Sequence, residues 1–175
     1  MTNRVYTLAL TGILAFAALS CKNRRIERAV IETIGKEIVW ERTEPDSSAY
    51  RFTIIRYIDN PVCTSCQLHM GDWRVYRRRM QNAFGDGIDY VFVINTTNTD
   101  EARDILEMYD FDDHAIVGKD LSFIENNGLT DDLGKDFVLL LDSARRVVSI
   151  GNPCETPKAE ENFNRIFSGQ MKITD

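Results

Sequence analysis

The stretch IDYVFVIN, residues 88–95, limits the fold more than any other part of the chain. Its apolar content is nearly continuous. A strand with one wet face alternates apolar and polar residues, whereas a strand covered on both faces does not. Residues 88–95 therefore predict an interior strand with layers packed above and below. YRFTIIRYI (50–58) predicts a second strand, rich in aromatic and β-branched residues, with burial on both faces at Ile54–Ile55. Between the two, Cys66, Met70, Trp73, Arg77 and Met80 fall three or four residues apart, and Leu68 and Tyr76 widen the apolar side. That spacing predicts one helix over 63–84, stopped by Gly85 and Gly87. Strand, helix, strand makes a parallel pair joined by a crossover.

The rest of the chain extends this unit. TTNTDEARDILEMYD (96–110) predicts a helix with Ala102, Ile105, Leu106 and Tyr109 on one side. HAIVG (114–118) is a short strand, and LSFIENNGL (121–129) one or two helical turns ended by Gly128. FVLLLD (137–142), SARR (143–146) and VVSIG (147–151) read as a strand hairpin. Pro157 opens a last helix that buries Ala159, Phe163, Ile166 and Phe167. At the other end, 22–35 predicts a short amphipathic helix, KEIVW (36–40) an edge strand, and ERTEPDSS (41–48) a turn. The expected class is α/β: a mixed sheet with helices on both faces, closed by a C-terminal hairpin and helix.

Residues 1–20 are expected to be a signal peptide. MTNR gives a positive start, and VYTLALTGILAFAALS is apolar but shorter than the roughly 20 residues of a spanning helix. Ala18-Leu19-Ser20-Cys21 resembles the bacterial lipobox, which implies cleavage before Cys21 and lipid on its sulfur. The expected organisation is a signal peptide over 1–20, an anchor-proximal helix and extension over 21–48, and one domain over 49–175. The expected location is the bacterial cell envelope, on the periplasmic face or the cell surface, with the membrane reached through the lipid. The net charge of −6 argues against a nucleic-acid partner.

Export makes an oxidising compartment, where disulfides persist. With Cys21 acylated, Cys63, Cys66 and Cys154 remain, an odd number that leaves one thiol available for exchange. Cys63 and Cys66, two residues apart in DNPVCTSCQLHM, admit three readings: a redox couple, half of a metal site, or a structural disulfide. A closed zinc site needs four ligands; His69, three residues after Cys66, could approach it on the helix, but the usual second Cys or His pair is absent and His114 and Cys154 are distant and unrelated in spacing, so neither metal nor cofactor is expected. The acids at Asp110, Asp112 and Asp113 lack the alternation and closing Glu of a calcium loop. Placed at the first turn of a helix, Cys63 would lie near free N–H groups that favour its thiolate. Cys63 would then be the nucleophile and Cys66 the resolver. Gly151-Asn152-Pro153-Cys154 should emerge beside them at the end of the hairpin, which makes Cys154 an accessory candidate.

The strand–Cys-x-x-Cys–helix order, the FVLLLD…VVSIG hairpin and the closing helix resemble the thioredoxin-like superfamily. More narrowly, Gly35–Ile38, Trp73 in the cysteine-bearing helix and the Gly151–Pro153 turn resemble lipid-anchored thioredoxin-like proteins of Bacteroidota. The resemblance spans about 26–170. It implies thiol–disulfide exchange with protein thiols or disulfides and an unidentified redox partner. It also implies a substrate groove drawn from Val62, Thr64, Ser65, Lys135, Asp136 and Gly151. The alternative is a non-catalytic interaction module with a structural disulfide. Three positions depart from the reducing members of the superfamily. Gly134-Lys135-Asp136-Phe137 carries no proline where they have a cis-proline. Tyr57 stands where many have a buried acid, and Val62 where many have Trp. A cis bond without proline costs about 2.5–4 kcal/mol, so this loop is expected to be trans.

Overall fold

The computed structural model describes residues 23–40, 50–59 and 68–170. The expected signal peptide, Cys21, the turn at 41–48 and the segment carrying Val62, Cys63, Thr64, Ser65 and Cys66 lie outside the described residues. Helix α1 covers 23–33. It is followed by β1 (Phe52–Asp59), α2 (Met70–Phe84), β2 (Ile88–Asn95), α3 (Thr99–Met108) and β3 (Ala115–Gly118). The chain continues through α4 (Phe123–Asn126), β4 (Asp136–Asp142), β5 (Val147–Ile150) and α5 (Pro157–Phe167).

The five strands form one sheet in the order β3-β2-β1-β4-β5. β1–β2 and β2–β3 are parallel, and β4 runs antiparallel to both β1 and β5. β1 and β2 lie inside the sheet with β4, as the nearly continuous apolar run of β2 and the apolar pair Ile54–Ile55 of β1 predict. Strand periodicity sorts their residues between two cores. Ile54 and Ile58 of β1 and Tyr90, Phe92 and Ile94 of β2 join Trp73, Tyr76, Leu106 and Phe163 of α2, α3 and α5. Ile55 and Tyr57 join Val91, Phe123 and Phe137 on the other face, under Ile38 and Trp40 of the N-terminal arm. Trp73 is fully buried and meets Phe92 edge to face at 5.6 Å, a contact worth about 0.5–1.5 kcal/mol beyond its area.

Two boundaries differ from the sequence expectation. KEIVW does not make a strand; Glu37 forms an isolated antiparallel bridge with Arg146, and Ile38 and Trp40 are buried as core residues. The helix predicted over 63–84 is interrupted. Leu68 is helical, His69 takes left-handed angles (φ 49°, ψ 35°), and α2 begins at Met70. The hydrogen bonds give the reason. In an unbroken helix the Asp72 N–H would donate to the Leu68 carbonyl. It donates instead to His69 O at 3.0 Å, and the Leu68 carbonyl accepts from the Arg56 guanidinium of β1 at 2.5 Å.

Candidate functional site: the edge where β1 ends and β4 begins

The C-terminal end of β1, the start of β4 and the end of β5 share one edge of the sheet, because β4 runs against both neighbours. The chain leaves this edge at Asp59 and is described again at Leu68. The expected site is therefore framed by the described residues on its flanks, and Cys63 and Cys66 fall in the connection between them. The loop entering β4 is stitched to the end of β1. Asp59 N–H donates to Lys135 O at 2.7 Å, and Lys135 Nζ lies 3.6 Å from the Asp59 carboxylate. Asn95 Nδ2 of β2 donates to the same carboxylate at 2.9 Å. The Lys135–Asp136 bond is trans, since no described residue has a cis peptide bond.

The sequence missed the central residue of this edge. Arg56 stands between Ile54 and Ile58 in the row of β1 that faces α2, and only 1% of its side chain is exposed. Its Nε and Nη2 donate to Asp136 Oδ1 and Oδ2 at 3.2 and 2.8 Å, a two-pronged ion pair of the strong kind. Its Nη1 holds the Leu68 carbonyl, and its guanidinium carbon lies 5.7 Å from the Trp73 ring centroid. One cation thus joins β1, the first residue of β4 and the residue just before the break at His69. Leu68 is two residues beyond Cys66, so covalent reach keeps the Cys66 backbone within about 7 Å of the Leu68 Cα.

The helix N-terminus expected at Cys63 lies outside the described residues. The fixed charge at this edge is Arg56. Tyr57, at the position of the superfamily's buried acid, lies on the opposite face of the sheet. There it stacks between Phe123 and Phe137 at 5.5 and 5.0 Å. Burial and the Asp59 charge raise its pKa, which makes it a packing residue and not a proton carrier at neutral pH.

Cys154 and Gly151 also reach this edge. Gly151 sits at φ 141°, where an added Cβ would meet the Ala159 Cβ at 3.0 Å, so glycine is needed for α5 to close against the turn. Asn152 Oδ1 accepts from Cys154 N–H at 3.0 Å. Cys154 is a free, half-buried thiol packed against the α2-side core. Burial pushes its pKa up to about 12, against the opposing pull of Arg56.

At the far edge lies a cavity of about 280 Å³ lined by Tyr50, Arg77, Tyr90 and Phe111 among others. Its floor carries His114 Nδ1 paired with buried Asp89 Oδ1 at 2.5 Å. His114 is thus engaged away from the cysteine segment. Among the described residues, no group of three or more His, Cys, Asp or Glu could hold a metal.

The described elements form a thioredoxin-like fold: a parallel strand–helix–strand unit joined to an antiparallel hairpin and closing helix, with the Cys-x-x-Cys segment following the first strand in the sequence. The chain superposes on several solved structures of that fold. One is a thioredoxin-like protein in its oxidised form, with a TM-score of 0.53 and 11% identity, covering 78% of this chain and 97% of that one. Another is a thiol:disulfide interchange protein of the thioredoxin family from Chlorobium tepidum, with a TM-score of 0.52 and 13% identity, covering 78% and 95%. A third, a hypothetical protein from Sinorhizobium meliloti, has a TM-score of 0.56 at 13% identity, covering 81% and 87%. No family model matches the sequence, and no curated protein does either.

Proposed function

We propose that this protein exchanges disulfides with protein thiols in the bacterial cell envelope, anchored by lipid on Cys21. The narrower likeness is to lipid-anchored thioredoxin-like proteins of Bacteroidota. The observation that carries the reading is Arg56. It is a buried cation tied to the backbone two residues past Cys66, at the edge where the fold brings β1, β4 and the Gly151–Cys154 turn together. A nearby guanidinium favours a thiolate over a thiol.

The Cys63 thiolate attacks one sulfur of a substrate disulfide, forms a mixed disulfide and expels the other sulfur as thiolate. The Cys66 thiolate then attacks the Cys63 sulfur. The Cys63–Cys66 disulfide forms, and the substrate leaves as a dithiol carrying two electrons and, after protonation, two protons. The reverse sequence oxidises a substrate. Val62, Thr64, Ser65, Lys135, Asp136 and Gly151 are the residues that would meet the partner chain, and Cys154 is a third thiol that could accept a disulfide.

A second reading is favoured by the trans Lys135–Asp136 bond and by the two ion pairs that close the loop entering β4. In that reading the protein is a non-catalytic interaction module, and Cys63–Cys66 is a structural disulfide. Redox titration of the chain from residue 22 onward, with thiols trapped at each potential, separates the two. Exchange requires the pair to cycle between about −300 and −100 mV and Cys66→Ala to accumulate mixed disulfides. A pair that stays oxidised throughout, with nothing captured, leaves only the interaction module.

A further inference from the structure

Helix α1 is held to the domain by a narrow inner side. Ala29 and Thr33 are buried, Thr33 Oγ1 donates to Ala29 O at 2.7 Å, and Gly35 N–H and Ile38 N–H tie the following turn to Val147 O and Arg145 O. Its outer side carries Arg24, Arg28 and Ile31, spaced four and three residues apart, with one acid, Glu27, on the same side, all exposed. Ile31 is 75% exposed, and Ile34 and Val39 follow at 45% and 59%. This is the one place among the described residues where several large exposed apolar side chains cluster along the sequence.

Charge separates this segment from the rest. Residues 22–40 carry five Lys and Arg against three Glu, whereas residues 41–175 carry fifteen Lys and Arg against twenty-four Asp and Glu. An anionic surface would repel the domain and attract α1. The position of the helix supplies the surface. The apolar run ends at Ser20 and Cys21, and α1 is described from Asn23, at most about 7 Å of chain away.

We propose that the outer side of α1 lies on an anionic lipid bilayer. Ile31 and Ile34 enter the interfacial layer, and Arg24 and Arg28 meet lipid phosphates while their stems lie along the apolar boundary. The proposal rests on the reading that the chain is anchored at Cys21. Its consequence is geometric: the domain is held against the membrane instead of swinging on a free tether. A juxtamembrane basic residue contributes about 1 kcal/mol toward an anionic surface, and a lipid gains most from such a second signal.

The test uses the full chain reconstituted into phosphatidylcholine vesicles with and without about a third phosphatidylglycerol. Ile31→Trp reports depth through quenching by brominated acyl chains. Trp40 and Trp73, 7% and 0% exposed, serve as unquenched internal controls. The expected result is a blue-shifted, quenched signal in the anionic vesicles. Adding Arg24→Glu and Arg28→Glu should weaken it about tenfold or more. Anchorage is read separately, from co-sedimentation and from the mass of the Cys21 peptide. Co-sedimentation without quenching overturns the proposal and leaves the anchor standing. An unmodified Cys21 overturns the anchor, while quenching in anionic vesicles would still support the helix contact. Equal quenching in neutral vesicles, or a blue shift that follows protein concentration without lipid, overturns the proposal; the latter would assign the face to a second copy of the chain.

Discussion

β1 and β2 lie side by side, and each buries one charge near an opposite end of the sheet. Arg56 pairs with Asp136 at the edge next to the cysteine segment, and Asp89 pairs with His114 at the far edge. The two differ in reach. Arg56 spans three separate elements and sets where a helix starts. Asp89 accepts from the N–H of its neighbour Tyr90 at 2.9 Å and holds the short turn just before β3. A cation that joins three parts of the chain is suited to hold this edge of the sheet together. A His–Asp pair is suited to hold a turn.

The largest expected effect comes from removing the first charge. Arg56→Met orphans Asp136 and the Leu68 carbonyl, and should cost about 3–5 kcal/mol in urea denaturation. The double variant Arg56→Met, Asp136→Leu should recover part of that loss, since an apolar pair can replace a buried ion pair. No recovery would mean that the guanidinium matters through Leu68 and not through the carboxylate. Asp136→Asn alone should cost about 1–3 kcal/mol: it leaves buried Arg56 without its counter-charge, but the Asn Oδ1 still accepts one guanidinium hydrogen bond. At the far edge, Asp89→Ala should cost about 1–3 kcal/mol through the unpaired Tyr90 N–H and His114. It should leave the alkylation rate of Cys63 unchanged, whereas Arg56→Met should slow that rate at pH 7. Equal effects of the two variants on Cys63 would erase the distinction between the edges.

Two smaller effects refine the comparison. His69→Gly relieves a left-handed backbone and should stabilise the protein by about 0.5–1 kcal/mol. If it destabilises, the imidazole itself holds the break. Cys154 gives a pH signature at the thiol edge. Its pKa is raised to about 12 by burial, against about 8.5 in an unfolded chain. Below the unfolded value the thiol is protonated in both states and has no effect on the pH dependence. Above it the unfolded chain loses the proton first, so folded stability declines as pH rises from about 9 toward 12. Melting curves of Cys154→Ala over that range should show a shallower decline than those of the unsubstituted chain.

Much of the fold was legible because it depends on periods short enough to read locally. IDYVFVIN is nearly continuous in apolar content and FTIIRYID is rich in aromatic and β-branched residues, and both became interior strands. The three- and four-residue spacing of Trp73, Tyr76 and Met80, and of Ala159, Phe163 and Ile166, gave the buried faces of α2 and α5. Arg56 was not legible. In YRFTIIRYI it reads as a polar break in an apolar strand, and Asp136, the partner that makes its burial tolerable, is 80 residues away. The break at His69 was hidden for the same reason, since nothing in QLHMGDW requires a left-handed residue there.

By itself the sequence determined the strands of the sheet, the buried faces of the helices that flank it and the closing hairpin, but not the failure of KEIVW to make a strand. Each of these follows from side-chain polarity repeated every two or every three to four residues. Only the tertiary structure decided that a guanidinium would sit in the apolar row of β1, take a carbonyl from the helical ladder and clamp the start of β4. That choice balances the desolvation of a charge against hydrogen bonds from distant parts of the chain, and those bonds exist only once the sheet has assembled.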